Sequence, residues 1–79
     1  MSVIVYTQPS CSQCEQTKRF LNLKEVPYET VDITENQEAF NMIVELGYKS
    51  VPVVIAGDKH WSGFRLEQLN QLVSELHSA

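Results

Sequence analysis

A small α/β fold is predicted, with a four-stranded mixed sheet flanked by three helices in the order βαβαββα. Three features of the chain point to it. An unbroken β-branched and aromatic run opens the sequence and gives way to residues at helical spacing. A second extended run follows Pro27, and strand, helix and strand in succession make a right-handed crossover unit. Two short runs on either side of Gly57 then form a hairpin ahead of an amphipathic stretch. With 79 residues only one core can close, burying about 60% of the surface of the unfolded chain, so a single domain over residues 1–79 is expected.

The first strand runs from Ser2 to Tyr6. Its residues Val3, Ile4, Val5 and Tyr6 show no alternation, as in a strand covered on both faces. Thr7-Gln8-Pro9-Ser10 breaks the pattern, and Cys11, Cys14, Thr17, Phe20 and Leu21 recur at helical spacing, so a first helix is expected from Cys11 to about Leu23. Pro27 stops any continuation, because its ring removes a donor and clashes with the preceding turn. From Tyr28 to Ile33, Tyr28, Thr30 and Asp32 alternate with Glu29, Val31 and Ile33, the period of a second strand. Thr34 with Gln37 three residues on fits a capping box, and Phe40, Ile43, Val44 and Leu46 mark one face of a second helix that Gly47 ends. Val51 to Ile55 is the third strand, Ala56-Gly57-Asp58-Lys59 a turn, and His60 to Ser62 the fourth strand. Past Gly63, Leu66, Leu69, Leu72, Val73 and Leu76 recur at three and four, predicting a last helix to about His77.

Composition narrows the function. The chain is 43% hydrophobic and 20% charged, which fits a compact globular protein. Its net charge is -4, and the six acids from Glu25 to Glu45 have no Lys or Arg between them, so nucleic acid is excluded as an expected partner. Lys18, Arg19 and Lys24 read as a solvated helix face. The opening Met1 to Tyr6 carries no basic stretch and too short an apolar run for a signal peptide or a membrane span. No membrane association, a cytoplasmic location and a monomer are the expectations.

The chemistry resides in Cys11-Ser12-Gln13-Cys14, placed directly after an apolar strand at the start of a helix. Residues three apart on a helical turn share a face, so the two sulfurs can close a small disulfide ring and reopen it. The positive end of the helix dipole and its unpaired N–H groups favour a thiolate at Cys11, which makes it the expected nucleophile. Cys14, deeper in the first turn, is the expected resolving thiol. Cys11 would attack a substrate disulfide, and Cys14 would then attack Cys11 to release the product. No bound cofactor is needed, although a separate electron source must reduce the protein again.

Val51-Pro52 lies just before a strand, where a cis peptide would present backbone beside the thiols and offer the Val51 groups to an extended substrate. A zinc site is the competing use of the cysteines. His60 and His77 are too far apart, and too far from Cys14, for the close pairing of zinc-finger ligands, so no metal is expected. Of Trp61 and Phe64, one is expected to pack between hairpin and last helix, and the other to form an apolar docking rim with Tyr6 and Val51.

With Tyr6-Thr7 leading into Cys11-Ser12-Gln13-Cys14, the element order resembles the glutaredoxin branch of the thioredoxin superfamily over essentially the whole chain. Val51-Pro52-Val53-Val54-Ile55-Ala56-Gly57-Asp58 followed by Trp61-Ser62-Gly63-Phe64-Arg65 is similar to the NrdH-redoxins, glutaredoxin-like electron donors to class Ib ribonucleotide reductase. The resemblance implies a thioredoxin fold and a dithiol–disulfide oxidoreductase. It implies electrons from NADPH through the FAD of thioredoxin reductase, delivered to the large subunit of that ribonucleotide reductase. Cys11 and Cys14 match the family's catalytic pair, Pro52 its cis-proline, and Trp61 to Arg65 the segment that stands in place of a glutathione site. With Ser12, Gln13 and Val51 these are the candidate partner-contacting residues. A typical glutaredoxin carries Lys or Arg three residues before its first cysteine, where this chain has Gln8, and an amine-binding aspartate near Gly63 that is missing here. A glutathione-dependent glutaredoxin or a general protein disulfide reductase is the alternative.

Overall fold

The computed structural model describes residues 2–77. Along the chain these are β1 (Val3–Thr7), α1 (Ser12–Leu23), β2 (Glu29–Asp32), α2 (Gln37–Glu45), β3 (Val53–Ala56), β4 (Lys59–Ser62) and α3 (Leu66–His77). The four strands form one mixed sheet in the order β2-β1-β3-β4. β1 pairs parallel to β2, in register from Ile4 with Glu29 to Thr7 with Asp32, and antiparallel to β3, from Val3 with Ala56 to Tyr6 with Val53. β4 returns antiparallel to β3.

The period-2 geometry of the central strands sorts their side chains into two layers. Val3, Val5, Val54 and Ala56 face one side and join Trp61, Leu21 of α1 and Leu69 and Leu72 of α3. Tyr6 and Val53 face the other, where Ala39 and Ile43 of α2, Val51 and Cys14 meet them, with Ile4 and Ile55 packed alongside. This explains the opening run without alternation, because β1 is covered on both faces.

The elements differ from the expected ones mainly at their ends. Helix α1 begins at Ser12, with Cys11 as its extended N-cap. Helix α2 is capped by Asn36, whose Oδ1 accepts the Ala39 N–H at 3.0 Å. Thr34 is not the cap, since its N–H and hydroxyl both donate to Asp32 Oδ1 and close a turn at the end of β2. The expected apolar face of α2 is only partly buried: Ile43 is in the core, whereas Phe40 is 43% and Val44 50% exposed. β3 starts at Val53, two residues later than expected, where the backbone first pairs with β1.

Both α1 and α2 end in the same double hydrogen bond. Val26 N–H donates to Leu21 O at 2.9 Å and Glu25 N–H to Asn22 O at 3.1 Å, while Tyr48 N–H donates to Ile43 O at 3.0 Å and Gly47 N–H to Val44 O at 2.9 Å. The residue at the bend is left-handed in each, Glu25 at φ 56° and Gly47 at φ 96°. Among the described residues no helix is long and apolar enough to cross a membrane.

Candidate active site

At the end of β1, the turn Gln8-Pro9-Ser10 redirects the chain into α1, with Ser10 in the left-handed region at φ 60°. The turn delivers Cys11 to the N-cap, a position where a side-chain acceptor meets free backbone donors. Here the acceptor is sulfur: Cys11 Sγ takes the Cys14 N–H at 3.1 Å. The same N–H would hold a thiolate on Cys11 in the reduced protein.

Cys11 and Cys14 are joined by a disulfide, with Cα atoms 5.2 Å apart. Their exposures differ. Cys11 is half-buried, whereas Cys14 is 0% exposed between Tyr6, Val51 and the foot of α2. Only the first sulfur can be reached from outside, so attack on this bond by a partner, and attack by the reduced protein on a substrate, both pass through Cys11.

A second wall faces the sulfur. The Val51–Pro52 peptide bond is cis, and the Val51 carbonyl oxygen lies 3.8 Å from Cys11 Sγ. Pro52 O accepts the Gly63 N–H at 2.8 Å, tying this wall to the turn after β4. Gly63 adopts φ 87°, which favours glycine, and a Cβ there would meet Gln13 Oε1 at 3.4 Å. Gln13 itself turns to this loop, where its Oε1 accepts the Phe64 N–H at 3.1 Å. Of the two exposed residues between the cysteines, Ser12 and Gln13, it is Gln13 that braces the active-site helix against the loop.

The other candidate residues fall on different sides. Trp61 is only 6% exposed, in the layer beneath α3, and its indole N–H is buried without a partner among the described residues. Its expected place among the partner-contacting residues is corrected, because β4 alternation turns Trp61 away from the dithiol face. Phe64 is half-buried and packs on that same layer. Arg65 is exposed, its Nε donating to Ser62 O at 3.1 Å, and the Ser62 hydroxyl donates to Ser50 O at 3.2 Å. Of the expected docking rim, Val51 and Tyr6 do border the sulfurs, though Tyr6 is buried and its phenol is pushed up by desolvation and by the charge of Glu29.

A groove of about 420 Å³ opens next to Val51, lined by Gln8, Ile33, Phe40, Val44 and Ser50 among others. Apart from Gln8 these residues carried no functional signal in the sequence, where Phe40 and Val44 read as core. Among the described residues, no group of three His, Cys, Asp or Glu side chains is placed to hold a metal ion.

Against known proteins, the sequence profile of the glutaredoxin family matches residues 3–61, most of this chain. The chain belongs to the glutaredoxin family. It is 37% identical to the glutaredoxin-like protein NrdH of Escherichia coli over its whole length and 98% of that relative. It is 33% identical to the protein of the same description in Lactococcus lactis, over 89% of this chain and 97% of that one. The structure of the Escherichia coli NrdH-redoxin, which gives the basis for that protein's thioredoxin-like activity profile, superposes with a TM-score of 0.89 at 38% identity, covering 91% of this chain and 95% of the other. Within the glutaredoxins this chain is thus an NrdH-redoxin with the expected fold, and it is a thiol–disulfide oxidoreductase acting through Cys11 and Cys14.

Proposed function

We propose that this NrdH-redoxin reduces protein disulfides with electrons taken from NADPH through the FAD of thioredoxin reductase, and that its principal substrate is the disulfide of the large subunit of class Ib ribonucleotide reductase. It acts in the cytoplasm as a monomer without a bound cofactor. One observation carries this choice over glutathione. The Gly63 and Phe64 N–H groups, which a glutathione carboxylate would need, are already taken by Pro52 O and Gln13 Oε1. Gln8 stands where a typical glutaredoxin carries a cation, and no aspartate follows Gly63, so the charged contacts that glutaredoxins make to glutathione at these two positions are missing, and Lys49 is the cation that lines the groove. The thioredoxin-like activity profile attributed to the Escherichia coli relative supports the same reading.

The exchange proceeds in two steps. The Cys11 thiolate attacks one sulfur of the substrate disulfide, forming a mixed disulfide and releasing the other substrate sulfur as a thiolate that takes up a proton. Cys14 then loses its proton and attacks Cys11, which breaks the mixed bond, frees the second substrate thiol and leaves the Cys11–Cys14 disulfide. The substrate gains two electrons and two protons; the protein supplies both electrons and the Cys14 proton, and water supplies the proton that the Cys11 thiolate had already lost. An extended substrate segment pairs with the backbone at Val51 while its side chains enter the groove between α2 and the Ser50–Val51 segment.

A coupled assay tests the assignment. NADPH oxidation is followed with thioredoxin reductase and, separately, with glutathione and glutathione reductase, using a ribonucleotide reductase large subunit as acceptor. Turnover with thioredoxin reductase alone is the expected result. Turnover confined to the glutathione arm would make this chain a glutathione-dependent glutaredoxin instead.

A further inference from the structure

We infer that Tyr48 and His60 form a positioning pair, which holds the segment leading to Val51 in the conformation an incoming peptide needs; this rests on the docking at Val51 proposed above. Between the end of α2 and the start of β3, residues 48–52 belong to no helix or strand. Their order must come from links outside a regular ladder. Three such links run to β4 and the turn beyond it: Tyr48 Oη lies 2.6 Å from His60 Nδ1, the Ser62 hydroxyl donates to Ser50 O at 3.2 Å, and Gly63 N–H donates to Pro52 O at 2.8 Å.

The two inner links sit beside the sulfurs, whereas the Tyr48–His60 link anchors the far end. His60 and Ser62, two apart on β4, share a sheet face. Lys59 and Trp61 take the opposite one, Lys59 pairing with Glu75 of α3 and Trp61 entering the core. The two rings also meet edge to face, with centroids 5.5 Å apart and planes at 83°, so the contact has both direction and area. The Tyr48 O–H donates when the imidazole carries its proton on Nε2 and leaves the Nδ1 lone pair free. Without this link, the stretch between Tyr48 N–H, which stays on Ile43 O, and Ser50 O, which stays on the Ser62 hydroxyl, would have to be ordered at the moment of binding, and that ordering weakens association rather than the exchange at sulfur.

The test uses stopped-flow reduction of a short peptide containing one intramolecular disulfide by the pre-reduced protein, reading half-saturation concentration and limiting rate separately. Hydroxyethyl disulfide, which has no peptide backbone, is the second substrate. His60→Ala and Tyr48→Phe are each expected to raise the peptide half-saturation concentration about three- to tenfold, the effect of one lost hydrogen bond, with the limiting rate within about twofold. The double variant should lose no more than either single one. His60→Gln, which keeps an acceptor, should recover most of the loss, and His60→Ala should reduce hydroxyethyl disulfide at about the wild-type rate. An unchanged peptide half-saturation concentration, equal losses on both substrates, or losses that multiply in the double variant would each overturn the pair. Saturable reduction of the peptide by wild type with no change in the variants removes this inference alone. A wild-type protein that reduces hydroxyethyl disulfide but not the peptide removes the docking reading with it.

Discussion

On the side of the sheet that carries α1 and α3, two helices of twelve residues each lay Leu21, Leu69 and Leu72 over Val3, Val5, Val54, Ala56 and Trp61. On the other side a single helix of nine residues contributes Ala39 and Ile43, leaves Phe40 and Val44 in solvent, and shares its layer with the disulfide. The buried members of the first layer are closed off and hydrocarbon apart from the Trp61 indole N–H, with Tyr28 packed at its edge. The second is thin, opens into a groove beside Val51, and contains both sulfurs. Stability and reactivity are thereby separated. A site that must admit another protein's chain cannot be fully covered, and in so short a chain the uncovered face has to be supported by the opposite one.

The largest expected effect lies on the open face. Cys11→Ser should abolish turnover on every disulfide, and Cys14→Ser should stop release of protein substrates while trapping a mixed disulfide through Cys11, visible by mass spectrometry. Loss of the trapped species in Cys14→Ser, or its appearance in Cys11→Ser, would reverse the assigned order of the two sulfurs. On the closed face, Leu69 is fully buried, and Leu69→Ala should lower stability by about 2–5 kcal/mol in urea unfolding, with the rate per folded molecule unchanged. Phe40→Ser should do the opposite, shifting stability by no more than about 0.5 kcal/mol while raising the half-saturation concentration for a peptide disulfide several-fold. If Phe40→Ser destabilised the protein as Leu69→Ala does, the division between the two faces would fail.

Much of this division was legible in the sequence. The non-alternating run at β1 announced a strand covered twice, C-x-x-C after that strand located the chemistry, and the Val51-Pro52 and Trp61 to Arg65 segments pointed to the surrounding loops. What stayed hidden depends on long-range partners. Periodicity places Phe40 and Val44 with Ile43, but the side of α2 they occupy looks out over the groove rather than onto the sheet. The α2 cap was misplaced because Thr34 and Asn36 are both good capping residues, and only the turn made by Asp32 commits Thr34 elsewhere. Trp61 went to the wrong group since resemblance names a segment as a unit, whereas strand alternation divides its residues between two faces. Gln13 and the Tyr48–His60 pair reach partners 51 and 12 residues away, separations at which no local pattern operates.

The smallest expected effect compares how the two sides end their helices. At the end of α2, Gly47 takes φ 96° with open space where a Cβ would stand, so Gly47→Ala should lower stability by about 1 kcal/mol from backbone conformation alone. At the end of α1, under the closed layer, the equivalent position holds Glu25 at φ 56°, an L residue in the same left-handed bend. The strain is tolerated because Val26, next in the chain, drops into the core beside Leu21 and fixes the bend. Glu25→Gly should relieve it and raise stability by roughly 0.5 kcal/mol, less than the full conformational term because glycine also loosens the unfolded chain. A lower urea midpoint for Glu25→Gly would mean that the unfolded-chain term outweighs the bend, and that the closed side gains nothing by a better helix end.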